Sequence, residues 1–400
     1  MKKIIIIGGG ASGILTAILL AQRFGGENIL VIEGNDRILK KLALTGNGQC
    51  NISNSNFGDT DFIRDALTRF DTEKTLELFE KLGIETVTEE DGRVYPRSYQ
   101  ASSCADIFRL TCENLGIEIR LSELVTSITK CGDIFEVKTN SRDYSTSHVI
   151  YSLGGATYPK LLTNASNFKL LSGFSHTIKP LLPALVQLKA KSATLKMLKG
   201  IKTDVGMSLI VLNKVVDKTF GEAHFADNAL SGPAAFTLSP KAALLLNDNV
   251  SVDASIDFFH EYDSGELLEM FCNRAENIGN FPIDNFFSTL VHNQIGRVII
   301  KECNLNPQDK ISTLTDADLI KIMQTAKNYR VKITETNGVN FAQVSLGGVP
   351  TSELTANLES KLVEHLYITG EACDVTGVCG GYNLQWAWTS AQIVASTIDF

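Results

Sequence analysis

Three glycines and one carboxylate near the start of the chain have the types and spacing to hold a dinucleotide. Gly8, Gly10 and Gly13 fit G-x-G-x-x-G: the first glycine permits a tight turn, the second lets backbone approach a pyrophosphate, and the third lets a helix pack on a strand. Glu33 follows about twenty residues later, where an acid accepts hydrogen bonds from ribose hydroxyls. These groups work only if local elements aim them. Lys3-Ile4-Ile5-Ile6-Ile7 reads as a buried parallel strand, residues 14–24 are good helix formers that Gly25-Gly26 stops, and Asn28-Ile29-Leu30-Val31-Ile32 reads as the next strand. A phosphate would then rest on a helix N-terminus, where free N–H groups and the macrodipole favour an anion. The competing reading, a secretory signal after Lys2-Lys3, fails because glycines interrupt the apolar run and no small-residue cleavage site follows. No second strand, G-x-G-x-x-G and helix unit occurs downstream. The chain therefore reads as holding one dinucleotide, with no separate nicotinamide domain.

Four hundred residues are enough for two or three domains. A hydrophobic share of 44% with 20% charged residues is that of a globular enzyme, and a net charge of −8 argues against nucleic-acid or anionic-membrane partners, which need a basic field. No apolar run is long enough to span a bilayer. The eight cysteines, Cys50, Cys104, Cys112, Cys131, Cys272, Cys303, Cys373 and Cys379, form no disulfide framework, so a reducing cytoplasm is the expected setting. The closest pair, Cys373 and Cys379, has neither dithiol nor zinc spacing. The six histidines form no H-x-x-H or H-E-x-x-H pattern, so no metal site is expected.

Beyond Glu33, residues 37–54 form a polar, glycine-bearing loop suited to wrapping a ligand. Residues 61–82 show helical spacing broken near Asp71-Thr72, residues 91–97 a turn and short strand, and residues 102–115 a helix. Strands are expected at 117–121, 124–128, 134–139 and 146–153, the last closing on Gly154-Gly155, where backbone either approaches something closely or simply turns. From about residue 183 the texture changes. Short alternating runs at 185–190, 198–207, 208–213, 215–220 and 250–256 suggest a small antiparallel barrel or sheet, residues 265–321 are helical, and strands return at 329–334 and 341–345. In the tail, a strand at 366–374 ends in acids, a glycine loop covers 375–381, and a helix runs from Tyr382 to the C-terminus. That arrangement is a second ligand-facing unit, which in a single sheet lies beside the first.

Several of these stretches together resemble the three-domain bacterial flavoproteins of the aminoacetone-oxidase or BaiN-like type. They are the N-terminal fingerprint, Lys41 with Thr45 to Asn54, Leu230-Ser231-Gly232-Pro233-Ala234, Val344-Ser345-Leu346-Gly347-Gly348-Val349, and Gly370-Glu371 through Gln385. The last, GE-x-x-D-x-x-G-x-x-GGYNLQ-x-A, is the most specific, and the matches run from the first strand to the last helix. The resemblance implies an α/β fold: a Rossmann-like FAD-binding domain of the glutathione-reductase type, over 1–188 and 346–400, interrupted by a β-barrel over 189–256 and 328–345 and by a helical insert over 257–327. It also implies that Gly8, Gly10, Ala11, Ser12 and Gly13 cradle the pyrophosphate and that Glu33 holds the adenosine ribose. Lys41, Thr45, Gly46, Gly48, Gln49, Cys50 and Asn51 would line the pyrophosphate and flavin side, with Gly154 and Gly370 close by. Val125 would meet adenine through its backbone, and Glu371 and Asp374 would face the ribityl chain or a nearby loop. Gly381, Tyr382, Asn383 and Leu384 would place N–H groups at the flavin pyrimidine edge.

Two positions depart from the pattern. Gln49 stands where the family commonly has Arg, and residues 161–168 replace a glycine-rich stretch. The expected activity is FAD-dependent oxidoreduction, with hydride transfer at flavin N5 and NAD(P)H bound only transiently while a small organic acceptor is reduced. Oxidation of a small amine by oxygen and a non-catalytic FAD-binding role are the alternatives. No Ser/His/Asp order or paired-carboxylate spacing names an acid or base; Tyr382, Tyr158, Cys50 and Asn51 are the candidates for substrate-facing polar groups.

Overall fold

The computed structural model describes residues 2–54, 61–377 and 380–399. Cys379 of the closest cysteine pair therefore lies outside the described residues. The chain divides into two compact units, residues 1–183 with 342–400, and residues 184–341.

The first unit is built on a five-stranded parallel sheet in the order Leu366–Ile368, His148–Tyr151, Ile4–Ile7, Ile29–Ile32, Glu118–Arg120. Ile4, Ile5, Ile6 and Ile7 are at most 1% exposed, because a central parallel strand is covered on both faces and must be apolar throughout. The first helix, Ala11–Phe24, and the last, Tyr382–Thr397, belong to the same unit, and Trp388 of the last packs against Phe79 and Phe108 with ring centroids 5.2 and 5.7 Å away. Asp71 caps the helix Thr72–Lys81 by accepting from Lys74 N, at the break expected there.

The single strand expected over 146–153 is two elements. Asp143–Thr146 ends an antiparallel three-stranded sheet with Val125–Cys131 and Ile134–Thr139, and His148–Tyr151 starts afresh in the parallel sheet. The break is fixed by Thr146 Oγ1 and Ser147 Oγ, which donate to the Lys3 carbonyl at 2.8 and 3.0 Å. Alternation in sequence persists across such a change of sheet, so periodicity misses it.

His148 makes this end of the sheet sensitive to acid. It is 5% exposed, its ring lies 4.5 Å from that of His365, and burial, followed by the charges of His365 and Lys130, pushes its pKa down to about 4. The folded state thus disfavours the protonated ring relative to an unfolded chain titrating near 6.5. Its contribution is complete above the unfolded value and is lost as pH falls from 6.5 toward 4. Unfolding free energies from urea titrations at pH 7.5 and 5 are expected to differ by on the order of 2 kcal/mol, and His148→Gln to remove most of that difference. An undiminished difference in the variant would assign it to another group.

The second unit is a closed six-stranded barrel in the order Leu188–Lys191, Ala229–Ser231, Lys214–Ala226, Lys202–Val211, Val252–Asp257, Tyr329–Thr336. The helix Gly232–Asn247 follows one strand, and the helices Ser264–Asn277, Asn293–Glu302 and Asp316–Lys327 intervene before the last. Barrel residues Leu209 and Ile256 share one core with Phe271, Phe286 and Ile299 of the helical stretch. The two short strands expected at 198–207 and 208–213 are one strand, Lys202–Val211, with a register shift between Leu209 and Ile210, preceded by a helical turn at Leu195–Leu198. Gly206 within it marks a close approach, since a Cβ there would lie 3.1 Å from that of His260.

Candidate functional site

The carboxyl ends of the parallel strands converge on the fingerprint loop, and each glycine there has a distinct steric reason. Gly8 has φ +108°, and a Cβ on it would lie 2.4 Å from the Ser152 carbonyl oxygen; a Cβ on Gly13 would lie 2.0 Å from the Gly8 oxygen. At Gly10 a Cβ would meet nothing within 4 Å. Gly10 is the N-cap of the first helix and makes no side-chain cap, so the first-turn N–H groups of Ala11, Ser12 and Gly13 face that space. Two glycines serve packing and one keeps room for a ligand.

Glu33 terminates the strand Ile29–Ile32, and its carboxylate is held from both sides. Oε2 accepts from Gly9 N at 2.7 Å, and Oε1 accepts from Asn35 N and Nδ2, each at 2.7 Å. Asn35 Nδ2 also donates to the Leu161 carbonyl at 3.0 Å, tying the departing segment 161–168 to the acid. A Cβ on Gly34 would lie 2.6 Å from Leu124 Cδ2 and 2.8 Å from Leu162 Cδ1, so Leu124, next to Val125, flanks the same end of the crevice.

A polar cluster spans the loops after three strands. Lys41 Nζ lies 2.6 Å from Glu371 Oε2 and 2.8 Å from Thr157 Oγ1. Glu371 Oε1 accepts from Ser345 N at 2.7 Å and Ser345 Oγ at 3.1 Å, and Ser345 Oγ accepts from Ala156 N at 2.9 Å. Gly155 must be glycine here, since a Cβ would lie 2.1 Å from Ser345 Oγ. Gly154 has φ +74° and Tyr158 φ +58°; the Tyr158 ring centroid is 5.8 Å from Lys41 Nζ. Asp374 is committed to Lys179, 2.5 Å away.

The N-terminus of the last helix comes to the same place. Gly381 is its N-cap with φ +94°, where a Cβ would lie 2.5 Å from the Ser53 carbonyl oxygen. Gln385 anchors the first turn: Oε1 accepts from Ser53 Oγ at 2.7 Å, and Nε2 donates to Thr75 Oγ1 and Thr389 Oγ1, each at 2.9 Å. The Asn51 amide, oriented to match its neighbours, donates to Ser53 O at 2.8 Å and accepts from Gly381 N at 3.3 Å. Asn383 Oδ1 accepts from Gly377 N at 3.0 Å, and Tyr382 and Leu384 are half-buried beside it. Gly370, with φ +62°, joins the two helices: its carbonyl accepts from Trp386 Nε1 at 2.9 Å, and a Cβ on it would lie 2.7 Å from Ser12 Oγ.

In the loop between them, Thr45 Oγ1 donates to Leu42 O at 2.7 Å, and Gly46, Asn47 and Gly48 all have positive φ. Gln49 is exposed, whereas Cys50 is 1% exposed. The Cys104 thiol hydrogen-bonded to it, together with burial, pushes the Cys50 thiol far up, so its sulfur is a protonated core group. The sequence reading did not single out Asn35, Thr157, Ser345 or Ser53 as site residues. Ser345 and Ser53 were reachable through the motifs around them, and Asn35 through its place two residues after Glu33; Thr157 carries no local signal, since its partner Lys41 is distant in sequence.

Among the described residues no group of three or more His, Cys, Asp or Glu could hold a metal ion, and no helix is long and apolar enough to cross a membrane. A parallel sheet with an open glycine at one helix N-terminus, a ribose-spaced acid and a second helix N-terminus beside it marks a Rossmann-type FAD-dependent oxidoreductase. The chain belongs to the family described as HI0933-like protein Rossmann domain, which matches residues 2–397. It is 30% identical over 401 residues, 98% of each chain, to the 3-dehydro-bile acid delta(4,6)-reductase of Clostridium scindens. It is 27% identical over 409 residues to the ribosomal RNA dihydrouridine synthase of Escherichia coli, covering 98% of this chain and 97% of that one. The corresponding protein of Haemophilus influenzae is 25% identical over 415 residues, with 99% and 98% covered.

Proposed function

We propose that this chain reduces a carbon–carbon double bond conjugated to a carbonyl in a small organic acceptor, taking electrons from transiently held NADH or NADPH. The observation that carries the reading is Gly370, which puts the first turns of the first and last helices side by side in one unit. The groups present fit FAD. Backbone N–H groups of Ala11, Ser12 and Gly13, beside the space kept open by Gly10, would hold the pyrophosphate, and Glu33 would accept from the adenosine ribose. Glu371, fixed by Lys41 and Ser345, would accept from the ribityl chain, and the N-terminus at Gly381, Tyr382 and Asn383 would face the ring's pyrimidine edge. When bound, FAD supplies hydride transfer at N5.

This chain's part is electrostatic and steric: the helix dipole at Gly381 favours electron density nearby, and the Lys41–Glu371 pair brings no net charge. The activities of the relatives agree with the acceptor class, since a delta(4,6)-reductase of a 3-dehydro compound and a dihydrouridine synthase both add hydrogen across a ring double bond conjugated to a carbonyl. A net charge of −8 favours a small molecule over RNA. Anaerobic stopped-flow spectroscopy of the FAD-loaded protein tests the reading. Bleaching of the flavin band by NADH or NADPH, and its return on adding cyclohexenone, is the expected result. Bleaching by a small amine alone, with recovery in air, would replace it by an oxidase.

A further inference from the structure

A small antiparallel sheet of Ser53–Asn54, Arg93–Pro96 and Thr86–Thr88 adjoins the helix N-terminus at Gly381. Asn54 Nδ2 donates to the Gly380 carbonyl at 3.2 Å, and a Cβ on Gly381 would lie 2.9 Å from that of Asn54. Asn54 is paired directly with Arg93, so the two share a face of this sheet, and Tyr95, two residues on, shares it with them. The Tyr95 ring also reaches the ligand-lining loop: a Cβ on Gly46 would lie 3.6 Å from Tyr95 Cε1 and 3.0 Å from Asn51 N. Tyr95 therefore adjoins both segments assigned above to the flavin side, the loop at 45–51 and the helix start at 381–383.

Its hydroxyl is bonded in one sense only. Arg93 Nη1 donates to Tyr95 Oη at 3.5 Å, and Arg93 is itself tied to Asp91, with Nε 2.6 Å from Oδ2. The Tyr99 ring packs on that of Tyr95 with centroids 5.4 Å apart, and Tyr99 Oη donates to Glu89 Oε1 at 3.4 Å. Tyr95 is 5% exposed, and burial pushes its phenol pKa up, so it keeps its proton at neutral pH. Among the described residues no acceptor takes that proton. Nearby donors are already committed: Ser53 Oγ to Gln385, Thr45 Oγ1 to Leu42 O, and the Asn51 amide to Ser53 O.

Reduction of a double bond conjugated to a carbonyl needs such a donor. The hydride, supplied by NADH or NADPH, bonds to the β carbon; the electron pair of the double bond moves onto the carbonyl oxygen as an enolate; a proton then bonds to the α carbon. A donor aimed at that oxygen stabilises the charge as it forms. We propose that the Tyr95 hydroxyl donates a hydrogen bond to the carbonyl oxygen of the acceptor. The role rests on the reductase reading above and names the residue that recognises its substrate.

Oxidised, FAD-loaded protein titrated with cyclohexenone, labelled with carbon-13 at the carbonyl, is expected to give a saturable downfield shift of that resonance. Tyr95→Phe keeps the ring and the urea midpoint, but is expected to shrink the shift and to weaken binding about tenfold. After anaerobic reduction by dithionite, reoxidation at saturating enone is expected to be at least about a hundredfold slower in the variant. Equal shifts and equal rates in the two proteins would overturn the role of Tyr95 and leave the reductase reading standing. A wild-type protein that the enone does not reoxidise would overturn both.

Discussion

Gly13→Ala is expected to purify without FAD and to lose at least about 3 kcal/mol of stability. The new Cβ would lie 2.0 Å from the Gly8 carbonyl oxygen, a backbone atom that moves only if the first strand and first helix separate. Gly8 cannot retreat, since its own face lies against Ser152. Gly10→Ala supplies the contrast. Its methyl group meets no protein atom within 4 Å, so the fold is expected to keep its urea midpoint while FAD affinity falls at least about tenfold, because the methyl group occupies the ligand's space. Flavin content after gel filtration, with denaturation of each apoprotein, separates the two. Equal stability losses in both variants would refute the division of roles.

Gln385→Leu is expected to cost about 2–4 kcal/mol and to loosen the flavin end of the site. The residue is fully buried, and its amide serves Ser53, Thr75 and Thr389 and also donates to the Asp71 carbonyl at 3.2 Å. Leucine fills the volume but leaves the Ser53 hydroxyl without its acceptor, and the nearby Gln392, donating to Thr75 at 3.2 Å, replaces only one of the lost bonds. Ser53 O and Asn51 are the groups that hold Gly381, so the N-terminus of the last helix should shift relative to the loop. A lowered urea midpoint with an altered visible flavin spectrum is the expected pair of results. An unchanged spectrum would mean that the loop and helix are positioned by other contacts.

Much of the cofactor end could be read directly because its determinants are contiguous. Gly8, Gly10, Gly13 and Glu33 sit within one strand, helix and strand unit, and their spacing encodes the geometry. The clamp on Glu371 could not be read this way. Lys41 and Thr157 come from two distant loops and Ser345 from the strand Val344–Gly348, and no sequence period marks which of their side chains meet Glu371. The break at Ser147 escaped for a related reason: side-chain bonds to Lys3, far away in sequence, decide where one sheet ends and another begins.

Cys50 shows the opposite kind of limit. In sequence it belongs to the ligand-lining loop, but its positive φ of 61° turns it inward to Cys104 on the helix Ala101–Asn114. By itself the sequence determined the fold class, the parallel strands and the glycine-and-acid frame for a dinucleotide, because apolar runs and glycine sterics act between near neighbours. Tertiary structure alone decided which polar groups meet: hydrogen bonds between loops depend on strand order and register, which bring distant residues to the same crevice.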